Sequence, residues 1–128
     1  MFTTDVSFPA IDFDRFHTDD LPTRLAAGSG ALAAPDLAGV APLAFELTDG
    51  RAVTYVPFEG GVHVEAGVAD DAGAVIRLQP GHWSDFVQEL RTSFGLLYAG
   101  LVEARRGSLE HLIRWEPALR AMFHGRPV

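Results

Sequence analysis

From Leu43 onward the chain alternates. In "PLAFELTD" (42–49), Leu43, Phe45 and Leu47 share one face, and Ala44, Glu46 and Thr48 share the other. That period of two predicts a strand with one buried and one wet face, the habit of an antiparallel sheet. Asp49–Gly50 is a tight-turn signal. "RAVTYVPF" (51–58) follows as a second strand, with Val53 and Tyr55 on one face. "EGG" turns the chain again. In "VHVEAGV" (62–68), Val62, Val64, Ala66 and Val68 point one way and His63 and Glu65 the other. "ADDAG" makes a third turn, and "AVIRLQ" (74–79) is a fourth strand.

After Pro80–Gly81 the period changes. Trp83, Phe86, Val87, Leu90, Phe94, Leu97, Tyr98 and Leu101 fall mostly three and four apart, which predicts a helix over 83–98 that breaks at Gly95. "LVEARRG" (101–107) returns to strand character. "SLEHLIRWEPALRAMF" (108–123) reads as a last helix, N-capped by Ser108, with Glu110 in its first turn. Pro117 is expected to kink or restart it. Its apolar face is Leu109, Leu112, Ile113, Leu119 and Phe123.

The first seventeen residues show no steady period. They predict an extended acidic arm that docks through some of Phe2, Phe8, Phe13 and Phe16. One domain, 18–128, follows. A short helix starts near "DDLPTRLAA", with Asp20 as N-cap and Pro22 in the first turn. "GSG" (28–30) interrupts it and Pro35 ends the helical region. The order is helix, four strands, helix, strand, helix, an α+β chain.

Charge and composition exclude several classes. The 128 residues carry a net charge of −7, which disfavours nucleic acid as a partner. The charge is uneven: residues 1–100 sum to −9 and residues 101–128 to +2. All ten basic residues are arginine. No apolar run reaches the ~18 residues of a membrane span. There is no cysteine, so no thiolate nucleophile or Cys-ligated zinc, and a cytoplasmic setting is expected.

Candidate chemistry is sparse. "HWSD" (82–85) holds His82, Ser84 and Asp85, but a catalytic triad is made by convergence in space, not by adjacency. Here Ser84 or its neighbour is expected to cap a helix, with Asp85 at the positive end of its dipole. His63 and Glu65 have a spacing that can hold a metal, but no third ligand accompanies them, so no metal and no cofactor is expected. No phosphate loop, nucleophile elbow or pair of catalytic carboxylates is present. A small α+β enzyme with a cone-shaped pocket would place its long helices before the sheet, whereas most helix here follows it.

Three stretches resemble the sterol carrier protein type 2 family. They are "LAFELTDGRAVTYV", "AGAVIRLQPGHWSDFVQEL" and "LLYAGLVEARRGSLEHLIRW". The carrying motifs are Phe45 to Gly50, Ile76 to Phe86, Tyr98–Ala99–Gly100 and Gly107, within a resemblance over about 40–124. It implies a mostly antiparallel five-stranded sheet with helices packed on one face and an apolar tunnel between them. It also implies non-covalent binding of a fatty acid, acyl-CoA or sterol without catalysis. The acidic arm and the missing lysine-bearing carboxy-terminal tail depart from the family. The inward positions of the strands and covering helices predict a tunnel bounded by Phe45, Tyr55, Val64, Leu78, Phe86, Leu90, Phe94, Leu97, Leu112 and Trp115, with a portal near Gly95. The chain is expected to be a piece of a longer protein. The alternative is a structural or docking domain of the same fold with a filled tunnel, fused or bound to an oxygenase such as a phytanoyl-CoA dioxygenase-like enzyme. The run from Trp115 to Val128 resembles the segment ahead of some phytanoyl-CoA dioxygenase-like catalytic domains.

Overall fold

Backbone pairing decides the architecture of the computed structural model, which describes residues 9–125. The alternating segments form β1 (Leu43–Leu47), β2 (Ala52–Phe58), β3 (Gly61–Ala66), β4 (Ala74–Leu78) and β5 (Val102–Arg106). They make the expected five-stranded, mostly antiparallel sheet, in the order β3-β2-β1-β4-β5. Among the described residues the β1–β4 pair alone is parallel, with Phe45 opposite Ile76. The connection from β3 to β4 therefore crosses the sheet. Thr54 Oγ1 accepts from Ala69 N–H (2.9 Å) and donates to the Gly67 carbonyl, while Arg106 reaches the Ala69 carbonyl. This crossing buries Ala44, Thr54 and Val75 on the face expected to be wet. Glu46 and Arg105 form an ion pair on the same face.

The other face carries the helices. They are α1 (Phe13–Arg15), a π-helical turn (Phe16–Asp20), α2 (Leu21–Ala26), α3 (Ser29–Ala33) with a 3₁₀ turn (Ala34–Leu37), α4 (Pro80–Val87), α5 (Ser93–Tyr98) and α6 (Leu109–His124). The core lies between this layer and Leu43, Phe45, Tyr55 and Ile76 of the sheet. α6 runs through Pro117 without a break and is tied down at its middle and at its carboxy-terminal end. Trp115 Nε1 donates to the Ala41 carbonyl (2.9 Å), and His124 Nε2 to the Val87 carbonyl (2.8 Å). The latter satisfies a carbonyl at the end of α4 that has no intrahelical partner. No helix among the described residues is long and apolar enough to cross a membrane.

Several local expectations are corrected. Residues 13–17 are helical rather than extended, because Asp12 accepts from the Asp14 and Arg15 amides as an N-cap. Phe13 and Phe16 then both point into the core. Residues 9–12 reach α1 without helix, and residues 1–8 of the expected arm lie outside the described residues. Asp20 is itself helical and caps nothing.

The helix expected over 83–98 starts earlier and divides at Gln88–Thr92, where Glu89 has φ 62°. Gly95 lies inside α5 and donates its N–H to Thr92 Oγ1 (2.9 Å), so Thr92 is the cap that starts the second helix. Ser84 and Asp85 sit in the second half of α4, not at its start. Ser108 occupies the N-cap of α6 as expected, but its hydroxyl makes no capping bond.

Candidate functional site

The structure brings six of the expected tunnel residues together. Phe45, Tyr55, Leu78, Phe86, Leu112 and Trp115 are all buried in one cluster. The four aromatic rings meet in series: the Tyr55 ring centroid lies 5.9 Å from Phe45 and 6.4 Å from Trp115, and Phe45 lies 6.0 Å from Phe86. Leu97 is half-buried, while Leu96 beside it is fully buried. Leu90 and Phe94 were expected to face inward but are 47% and 49% exposed. The earlier helix break rotates α5, so Ser93 and Leu96 take the inward places and Phe94 stacks on exposed Tyr98.

The tenth residue, Val64, lies elsewhere. It lines an open groove of about 500 Å³ along the edge strand β3. The sheet supplies Val53, Val62, Val64 and Ala66, all on the helix-bearing side of the β2–β3 register. The helix layer supplies Phe13, Pro22 and Leu25. Asp14, His17, Thr18 and His63 add polar groups. A second groove, about 710 Å³, lies at the tip of the β2–β3 hairpin between Leu37, Val40 and Phe58, which is 57% exposed.

His17 is the polar group set deepest in the first groove. Its Nδ1 lies 2.8 Å from the Phe13 carbonyl, and its Nε2 lies 2.6 Å from the Tyr55 hydroxyl. A carbonyl only accepts, so Nδ1 carries the hydrogen and Nε2 accepts from the tyrosine O–H. Both nitrogens are spent in the neutral ring. Burial lowers the His17 pKa to about 4, against the opposing pull of the Phe13 carbonyl and the Asp14 charge. Burial also raises the Tyr55 pKa well above its ordinary value. The pair thus holds a neutral hydrogen bond where the helix layer meets the sheet.

Ser84 has a different task from the one expected of "HWSD". Its hydroxyl, 1% exposed as a residue, accepts from Ile11 N–H (2.7 Å) and from Gln88 Nε2 (3.0 Å), and Gln88 also donates to the Pro9 carbonyl. These bonds fasten residues 9–12 to α4 and so hold α1 over the sheet. Glu116 does the same for α5. Its carboxylate accepts from the Ser93 amide (2.9 Å) and hydroxyl (2.7 Å). His63 and Glu65 lie 3.7 Å apart on the surface. Among the described residues no three His, Asp or Glu side chains gather as a metal site would require.

The groove residues Phe13, His17, Pro22 and Leu25 were missed from the sequence. The available signal was Asp12 before Phe13 and Phe16, a cap followed by apolar residues three apart.

This arrangement is the sterol carrier protein 2 fold: a five-stranded mixed sheet with one parallel pair and helices on one face. Sterol carrier protein 2 of Yarrowia lipolytica, in its apo form, superposes with a TM-score of 0.63 at 18% identity, over 88% of this chain and 97% of that one. A palmitated sterol carrier protein 2-like protein of Aedes aegypti gives 0.53 at 12% identity, over 76% and 91%. A stereoselective inverting sec-alkylsulfatase from Pseudomonas sp. gives 0.55 at 13% identity, over 66% of this chain but 13% of that one. No family profile matches the sequence, and no curated protein aligns with it significantly.

Proposed function

We propose that the chain is a non-catalytic binding module for a hydrophobic small molecule, of the fatty acid, acyl-CoA or sterol class. The observation that carries this reading is the groove along β3, an apolar concavity between the helix layer and the sheet. Its volume falls within the few hundred cubic ångströms usual for small-molecule sites. Affinity would come from burying the chain, at about 0.8 kcal/mol per CH₂. The palmitated Aedes aegypti protein, built on the same fold, supports the ligand class. The bonds of His17 and Ser84 would serve to hold the helical wall in place, not to react. A chain without cysteine suits a reducing, cytoplasmic compartment.

A second reading is an accessory domain, fused to or docked on a lipid-metabolising enzyme. The sulfatase supports it, because this chain matches only a small part of that much longer protein.

Displacement of a fluorescent long-chain probe tests the first reading. Val64→Asp should weaken binding tenfold or more while circular dichroism stays native, since an ionised carboxylate in an apolar groove loses its hydration. Phe94→Asp, on the exposed face of α5, should bind as the parent does. The reverse result would put the site at α5. No binding by the parent would leave the accessory-domain reading.

A further inference from the structure

The groove along β3 has an unusual electrostatic lining for a lipid site. Among the described residues its one formally charged residue is Asp14, and no arginine lines it. The chain has no lysine to supply a mobile cation. Two neighbouring arginines flank the groove without lining it. Arg51 bonds Asp49 (2.8 Å) and Asp14 (3.4 Å) and lies over the Phe13 ring. Arg24 lies over the Phe16 ring, 5.5 Å from its centroid. His63, at the rim, is paired with Glu65. Inside, His17 has both nitrogens engaged and stays neutral. The Thr18 hydroxyl is turned toward the Arg15 carbonyl.

Among the described residues that line the groove, an anionic head group would therefore meet no arginine and one carboxylate. It would surrender hydration without a compensating partner, and Asp14 would repel it. The −9 charge of residues 1–100 adds a longer-range barrier to a polyanion. A hydroxyl or ester head in the same place carries no charge, so it loses less hydration and Asp14 does not repel it, while the chain lies on Val53, Val62 and Val64.

We infer that this groove selects uncharged lipids, with long-chain alcohols and their esters as the representative class, against acyl-CoA and ionised fatty acids. The inference rests on the lipid-binding reading above and narrows it.

The test is competition against a pyrene-labelled long-chain alcohol bound to the full chain, at mildly alkaline pH and below micellar concentrations. The competitors are hexadecanol, methyl palmitate, palmitate and palmitoyl-CoA. Hexadecanol and the ester should displace the probe at concentrations roughly tenfold or more below those of the two anions. High salt should narrow the gap for palmitoyl-CoA by screening. Asp14→Asn should narrow the gap between hexadecanol and the two anions about threefold or more. Equal or tighter binding of palmitate or palmitoyl-CoA would overturn the selectivity and leave lipid binding standing. An Asp14→Asn variant with unchanged ranking would overturn the role of charge. Failure of the probe and of every competitor to bind would overturn both readings.

Discussion

Acidification should loosen this fold through His17 before most carboxylates titrate. The ring is neutral and half-buried, donating to the Phe13 carbonyl and accepting from Tyr55, and its pKa is lowered to about 4. In the unfolded chain it would titrate near the ordinary value of 6.5. The unfolded state then takes up the proton first, so stability is full above about pH 6.5 and declines as pH falls toward 4. Below that the loss is complete. With 1.36 kcal/mol per pKa unit, the gap implies a loss of about 2 to 3 kcal/mol by about pH 4.5. Protonation would also turn Nε2 into a donor facing the Tyr55 hydroxyl, which would have to reverse its own hydrogen bond. Urea unfolding at several pH values, for the parent and His17→Gln, isolates this contribution, since other titrating groups are common to both. The parent should lose those 2 to 3 kcal/mol relative to the variant between neutral pH and about 4.5. A difference that stays flat across that range would refute the reasoning.

Gly107 should be intolerant of any side chain. It has φ 71°, and a Cβ there would lie 2.1 Å from the Gly73 carbonyl oxygen, so Gly107→Ala should cost about 3 kcal/mol or more, read as a large drop in melting temperature. Ser84→Ala leaves the Ile11 amide and Gln88 without their shared acceptor, and should cost about 1 to 2 kcal/mol. The cost should fall on residues 9–26, seen as faster proteolysis there while the sheet amides stay protected. Glu116→Ala removes both bonds to Ser93, so amide exchange across α5 should accelerate; equal exchange in both proteins would show that packing of Leu96 alone holds the helix.

The strands were legible in the sequence because alternation is a local property. Leu43, Phe45 and Leu47 read as one inward face, and so they are, since a strand places every second side chain on one side whatever the sheet around it. The last helix was equally plain from its 3–4 spacing. The family resemblance anticipated the architecture in the same way, through short stretches that each form one element or one turn.

What the sequence could not decide was which elements meet. The parallel pairing of β1 with β4 sends the β3–β4 connection across the second sheet face and buries Ala44, which local alternation put on the wet face, together with Thr54 and Val75. Residues 9–17 lack periodicity because their helix is one brief cap and two turns. They are held by Ser84 and Tyr55, residues 73 and 38 positions distant. The helix break at Gln88–Thr92 rather than Gly95 set the phase of α5, and with it whether Phe94 or Leu96 faces inward. A helix turns through about 100° per residue, so a small shift in where it starts exchanges its buried and exposed faces. The β3 groove is a contact of the same kind, a space defined by Phe13 and Leu25 on one side and Val62 and Val64 on the other, and only packing brings those two walls together.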